Sequence, residues 1–398
     1  MSKEKNKLMP ELRFPEFKNE AEWEKKKLGD CLDYLQPTDF LVSSTAYDNS
    51  FKTPVLTAGK TFILGYTNEV DNIFKEKLPV IIFDDFTTAS QYVDFPFKAK
   101  SSAMKILLSK NDIDIKFSYE LMQMIGYEVG VHGRHWISVF SNLDVPVPKN
   151  PNEQKKIASC LTSLDNLIAA HSQKLDVLTN HKKGLMQNLF PQDGETAPKY
   201  RFPEFKKDGE WLKKKLGDIG EPLMCKRILK EQTTSNPKNG VPFYKIGTFG
   251  RAPDAFIPLE LYNEFKSKYS FPKIGDILIS ASGTIGRLVV YDGYPAFFQD
   301  SNIVWLGNDE SLVLNMFLFH CYSKIKWQTS DGGIISRLYN SDLRNMKIHF
   351  PKSQTEQKKI ASCLSAVDEL ITAQLEKIEQ LKMHKKGLMQ GLFPKMNN

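Results

Sequence analysis

The chain has 398 residues, 41% of them hydrophobic and 25% charged, which supports two or three domains with cores of their own. The apolar runs are too short for a membrane span, and MSKEKNKLMPELRF at the start lacks the apolar core of a secretory signal, so no membrane and a cytoplasmic location are the expectation. A net charge of +7 is compatible with a nucleic-acid partner without establishing one.

Residues 1–30 form a lead-in segment. From Arg13 it reads RFPEFKNEAEWEKKKLGD, mixing Phe14, Phe17 and Trp23 with Lys25, Lys26 and Lys27. Two readings stay open: a basic arm for a polyanion, or an aromatic anchor beside a solvated charged face. Residues 31–149 form the first variable domain. Predicted strands are Leu78–Phe83, Tyr92–Phe97, Met104–Leu108 and Asp144–Val147, with a short helix at Phe117–Ile125. GYEVGVHGRHWISVFSN, from Gly126 to Asn142, reads as an exposed loop around a short strand. From Cys31 to Lys149 there are 11 Lys/Arg against 14 Asp/Glu, so bulk charge cannot hold an anion there and any basic contact is local.

Residues 150–191 form one long helix. Ile157, Leu164, His171, Leu178 and Leu185 recur every seventh residue, interleaved with Leu161, Ile168, Leu175, Lys182 and Leu189. That is a heptad seam. Asn150 and Glu153 have the spacing of a capping box, as do Ser353 and Glu356 at the second copy; Pro151 suits the first helical position, and Pro191 stops the helix. Residues 192–218 hold a polar linker and a second lead-in segment, RFPEFKKDGEWLKKKLGD from Arg201, identical to the first at 14 of 18 positions. Residues 219–352 form a second variable domain with 16 Lys/Arg against 12 Asp/Glu. Its predicted strands are Val241–Ile246, Asp276–Ser280, Arg287–Tyr291, Asn302–Leu306 and Lys347–Phe350, with a helix at Ser311–Tyr322. Residues 353–398 repeat the long helix: from Glu356 to Pro394, 25 of 39 positions equal those from Glu153 to Pro191. Its seam is Ile360, Leu364, Val367, Ile371, Ile378 and Leu381, with Gln374 and Lys385 as the polar members.

Neither helix can bury its stripe alone. A parallel pair would set Lys182 level with Lys385 in one core layer, and an antiparallel pair sends them to opposite ends, so the expected packing is antiparallel. The expected fold class is α+β: two small, mostly β-centred domains separated by a pair of long antiparallel coiled-coil helices, with a pseudo-two-fold internal repeat. A helix of this length spans ~57 Å, up to about 17 base pairs of DNA.

Two unlike domains, each followed by a near-identical helix opening EQKKIA and closing KKGLMQ-LFP, resemble the specificity subunit of type I restriction-modification systems. GDILISASGTIGR, from Gly275 to Arg287, is similar to a segment of such target-recognition domains. The resemblance implies a non-catalytic subunit whose two domains each read one half of a split target in double-stranded DNA, with the helices as spacer. It implies two methyltransferase subunits as partners, and endonuclease-translocase subunits in the restriction complex. S-adenosylmethionine, ATP and Mg would then serve the other subunits, and this chain would carry no cofactor or metal. The competing classes are a coiled-coil scaffold whose domains bind proteins, and a stand-alone nuclease.

Base edges are read by bidentate donors and small polar groups on rigid supports. In the first domain the candidates are Thr87, Thr88, Ser90, His132, Arg134 and His135, with Lys60, Lys98 and Lys100 for phosphates. In the second they are Arg251, Ser282, Thr284, Arg287, Arg337, Tyr339 and Asn340, with Lys245 for phosphate. Arg134 and Arg337 stand equally far before their long helices, so structural pinning is the alternative for both. Catalytic motifs are wanting: there is no Asn-Pro-Pro-aromatic run, and Gly59-Lys60-Thr61 lacks the earlier glycine of a phosphate loop, where Pro54 stands. Asp84-Asp85 suits a capped strand end better than a nuclease metal site.

Overall fold

The structure, a computed structural model, describes residues 8–59, 61–129, 133–325, 327 and 337–395. The chain divides into two compact units, Met1–Gln173 with Leu375–Asn398, and Lys174–Gln374. Each long helix, Pro151–Leu189 and Gln354–Leu392, gives residues to both units.

In the first unit a four-stranded antiparallel sheet runs in the order Leu32–Leu35, Met104–Ser109, Val80–Asp84, Ser90–Val93. Val80–Asp84 is buried throughout, which is why it reads as an unbroken apolar run. Alternate side chains leave by opposite faces. Ile81, Phe83 and Leu107 join the helix Ile115–Gln123 and Trp23 in one core. Val80, Ile82 and Ile106 pack with Leu56 and Ala99 of a three-stranded sheet ordered Ile63–Thr67, Thr53–Leu56, Lys98–Ala99, and with Phe97 just before its last strand. A ribbon of Glu24–Lys27 against Asp144–Val147 ties the lead-in segment to the strand before the long helix.

The second unit repeats this plan strand for strand. Its four-stranded sheet is Gly220–Leu223, Ile303–Asn308, Ile277–Ser280, Leu288–Val290. Its three-stranded sheet is Phe256–Ile257, Val241–Tyr244, Phe297–Phe298, and its ribbon is Leu212–Lys215 against Lys347–Phe350. The helix Leu259–Lys268 has no counterpart in the first unit and takes up part of the second domain's greater length.

The long helices pack antiparallel, as the seam requires. In the first unit Ile157, Ala158 and Leu161, from the start of one helix, share a core with Met389, Leu392 and Phe393 from the end of the other. In the second, Ile360, Ala361 and Leu364 share a core with Leu189 and Phe190. Of the seam residues, Ile157, Leu161, Ile360, Leu364, Val367, Ile378 and Leu381 are buried, and Leu164, Ile168, Leu175, Leu178 and Ile371 are half-buried.

The repeated motifs turn out to be internal wiring. Trp23, Phe117 and Phe393 form an aromatic triad with centroids 5.3–6.1 Å apart, and Trp211, Phe317 and Phe190 repeat it at 5.3–5.8 Å. Such pairs add about 0.5–1.5 kcal/mol each beyond their burial. In the helix opening, Gln154 accepts from the backbone N–H of Asp114, and Gln357 accepts from that of Leu314. These bonds set the short helix of each domain on the long one.

Three expectations change. The capping boxes are incomplete. The Asn150 side chain accepts from Asn152 N–H and Ser353 Oγ from Glu356 N–H, but neither glutamate reaches back. Glu153 and Glu356 instead receive Arg13 and Arg201, two bonds of 2.7 Å in each pair. The stretch after Gly126 is not an exposed loop around a strand: among the described residues it forms the helix His135–Ser138 and a turn at Phe140–Asn142, with His135, Trp136 and Phe140 buried. A Trp and a Phe spaced to reach one core outweighed the polar composition. The strand expected at Tyr92–Phe97 is Ser90–Val93.

Candidate nucleic-acid interface

Thr87, Thr88 and Ser90 sit on the turn that links two adjacent strands. Asp84 builds that turn: its carboxylate accepts from the N–H groups of Phe86 and Thr87 and from Thr87 Oγ1 at 2.7 Å. Thr88 has a φ of +62°, a strained value for a β-branched residue. Ser90 Oγ accepts from the Gln123 amide at 2.8 Å. Asp85 holds the neighbouring segment. Its carbonyl accepts from His135 N–H, its carboxylate from Trp136 N–H, and buried Lys105 lies 3.4 Å from it. Both acids are thus structural, and together they bring the threonine turn beside exposed Arg134.

Other first-domain candidates fare differently. His135 is buried against Tyr127, whose hydroxyl lies 3.4 Å from Nδ1, so it is a core residue and not a base reader. Lys98 is also buried; its ammonium meets Glu69 at 2.7 Å and the Asp71 carbonyl at 2.9 Å, which takes it from the phosphate candidates. Lys100 is half-buried, its ammonium 5.7 Å from the centre of the Tyr47 ring. Lys60 and His132 lie outside the described residues.

In the second domain two groups form. The backbones of Ser282 and Arg337 bridge as in a strand pair, Ser282 Oγ donates to Asn302 at 2.9 Å, and Arg337 donates to the Ser301 carbonyl at 3.1 Å. Arg337, Tyr339, Asn340 and Ser341 line a cavity of about 470 Å³ with Ser301 and Met224. Tyr339 is exposed, an aromatic face with nothing to bury it in its own core. The other group is Arg287, which donates to the Phe249 carbonyl at 2.7 Å, with exposed Arg251 two residues on. Lys245 pairs with Asp254 at 2.9 Å on the surface, a contact of low worth. Thr284 is exposed on the glycine turn, where Gly283 and Gly286 have φ of +65° and +81°. An added Cβ at Gly286 would lie 2.2 Å from Trp327. That turn therefore needs glycine for packing as well as for conformation.

Arg134 and Arg337 hold equivalent places, yet differ in their bonds. Arg337 pins backbone through its guanidinium, whereas the bond made at Arg134 uses its carbonyl, which accepts from Ser138. Among the described residues no group of three or more His, Cys, Asp or Glu could hold a metal ion, and no helix is long and apolar enough to cross a membrane.

The model of the type I restriction modification DNA specificity domain matches this chain twice, over residues 20–180 and 208–383. The chain belongs to this family. It is 57% identical over 155 residues to a putative type I restriction enzyme specificity subunit, S.HindORF215P, of Haemophilus influenzae, covering 39% of this chain and 40% of that protein. It is 41% identical over 210 residues to the type I restriction enzyme EcoR124I/EcoR124II specificity subunit of Escherichia coli, covering 51% of this chain and 49% of that one. The chain thus spans less than half the length of either of these curated relatives. A crystal structure of a type I restriction-modification S subunit from M. genitalium shares the fold, with a TM-score of 0.68 at 17% identity, covering 98% of this chain and 100% of that one. Both matches to the family model combine the later part of a lead-in segment, a variable domain and most of a long helix.

Proposed function

We propose that this chain is the DNA-specificity subunit of a type I restriction-modification complex. It does no chemistry itself. Each domain reads one half of a bipartite duplex target, the paired helices act as the spacer, and the methyltransferase and restriction subunits are directed to the site so chosen. The observation that carries this is one strand plan built twice with unlike surfaces: the Thr87 turn and Arg134 in one unit, and the cavity of Arg337, Tyr339 and Asn340 in the other. A duplicated frame suits the symmetric backbone of a duplex, and unlike surfaces suit unlike half-sites.

On this reading the base readers are drawn from Thr87, Thr88, Ser90 and Arg134, and from Arg251, Ser282, Thr284, Arg287, Arg337, Tyr339 and Asn340, with Lys100 and Lys245 toward the backbone. The methyltransferase subunits would meet the exposed residues that both long helices repeat: His181, Lys183 and Gln187, with His384, Lys386 and Gln390. Gly184 and Gly387 fit this, since a Cβ built on either meets nothing within 4 Å. The whole complex would work in the cytoplasm, with S-adenosylmethionine, ATP and Mg bound by the other subunits.

Selection of bound duplexes from a random library, with and without a methyltransferase partner, tests the proposal. Two short motifs at one fixed separation are expected. No selected sequence would favour a protein-binding scaffold, and metal-dependent cutting by this chain alone would favour a nuclease.

A further inference from the structure

The two lead-in ribbons differ in charge. Residues directly opposite in an antiparallel pair, and those two apart along a strand, share one face. In the first unit Lys25 is opposite Pro146 and Lys27 opposite Asp144. Asp144 sets one carboxylate between the two lysines of that face, 2.7 Å from Lys25 and 2.6 Å from Lys27. In the second unit Lys213 is opposite His349 and Lys215 opposite Lys347. A lysine thus stands where the first unit has its aspartate. Like charges directly opposite are destabilising in a ribbon. Lys215 turns to the Asn345 side chain at 3.0 Å, but that partner is neutral.

A cavity of about 290 Å³ opens beside this face, lined by Lys213, Lys347, His349 and Lys324, with Asp193 the single carboxylate in its wall. Lys324 occupies the place of Met124 in the first unit, at the end of the short helix, and donates to the Pro191 carbonyl at 2.8 Å. Partial burial, then Lys213 and Lys324, hold the His349 imidazole below its ordinary proton affinity, a sign of the positive field there.

We propose that this pocket and the ribbon face beside it bind backbone phosphates of nucleic acid, a sequence-independent grip at a place where the first unit carries Asp144. The donors are ammonium groups and an imidazole, and lysine serves phosphate as a point charge. Lys215 lies outside the cavity and lengthens the cationic face beyond what one free phosphate would cover. The proposal rests on DNA being the partner but not on the bipartite reading of its sequence.

Lys347→Asp in the full chain is the decisive variant, because it installs the arrangement that the first unit already folds with. Affinity for an unselected duplex is measured over a KCl series. Each phosphate contact contributes about −0.9 to the slope of log affinity against log salt. We expect the slope to shrink by about 2 in Lys347→Asp and to steepen in Asp144→Lys. Unchanged slopes in both variants, or no binding of wild type to the duplex at low salt, overturn the proposal. Acetylation of Lys213 and Lys347, read by mass spectrometry, separates the phosphate sources. Protection by duplex supports the assignment, and protection by inorganic phosphate alone at matched ionic strength overturns it. A slope change without any selected motif would sink the bipartite reading and leave this one standing.

Discussion

Lys385 of the second long helix sets its ammonium 2.6 Å from Asp165 of the first. The contact explains how a lysine occupies a seam position: antiparallel packing brings it to a carboxylate. Lys385 also meets Glu120 at 3.0 Å, and Lys116 meets both acids at 2.8 Å. Burial alone would raise the Asp165 carboxyl, but Lys116 and Lys385 hold it below the ordinary range. The second unit has a simpler version, Lys182 with Asp368 at 2.5 Å. Among the described residues, Lys385→Ala leaves Glu120, fully buried and with one carboxylate oxygen lacking a partner, to Lys116 alone. We expect a loss of about 2 kcal/mol, below the range for fully enclosed pairs because Asp165 keeps some solvent. Lys182→Ala should cost less, about 1 kcal/mol, since both members of that pair are partly exposed. Equilibrium denaturation of the two variants checks the ranking.

The arginine clamps are equivalent but not equally supported. Trp23 Nε1 also donates to Glu153, at 3.2 Å, whereas Trp211 Nε1 has no partner among the described residues. Arg13→Ala therefore leaves Glu153 one side-chain donor, and Arg201→Ala leaves Glu356 none. Both glutamates are buried, so each change should cost about 3 kcal/mol, with Arg201→Ala the worse. Hydrogen exchange in the first turn of each long helix measures the local loss.

His320, which stands where the first unit has Glu120, gives the second unit an acid sensitivity. Burial, with Lys182 adding and Asp368 opposing, pushes its imidazole down to about 4. The folded state then binds fewer protons than the unfolded state between about pH 4 and the ordinary value of about 6.5. Stability is full above that upper value and is lost as pH falls toward 4. The loss at pH 5 is about 2 kcal/mol. His320→Leu should flatten this part of the pH–stability curve in denaturant titrations, whatever its effect at pH 7.

Much of this architecture was legible in the chain. The seam residues followed from Ile157, Leu161 and their repeats, because a stripe must be buried, and the antiparallel direction from Lys182 and Lys385, because like charges must part. The partners of the polar seam residues were not legible. Asp165 and Asp368 lie outside the heptad columns, and Glu120 comes from a domain helix far away in sequence. Glu153 looked like a capping residue because its true partner, Arg13, is 140 residues distant. The candidate interface was harder still. The Gly-, His- and Ser-rich run around His135 reads as an exposed loop, yet Trp136 carries the segment into the core. Lys98 reads as a free cation, and nothing local announces Glu69. The strands Thr53–Leu56 and Ile63–Thr67 passed unnoticed because Gly, Pro and Thr break their apolar pattern.

Arg134 and Arg337 separate reading from pinning. Arg134→Ala should weaken binding of the selected duplex about tenfold, on the order of one bidentate base contact, with no change in stability. Arg337→Ala should lower both, since its guanidinium holds the Ser301 carbonyl. Binding titrations beside thermal melts decide the matter, and unaltered binding by a folded Arg134→Ala protein would strike that residue from the interface.

The most direct measurement is an exchange of residues 219–352 for the corresponding domain of another family member, followed by selection of bound DNA in the presence of the methyltransferase partner. The account predicts that one motif changes while the other motif and the gap between them are kept. Alteration of both motifs together would contradict it.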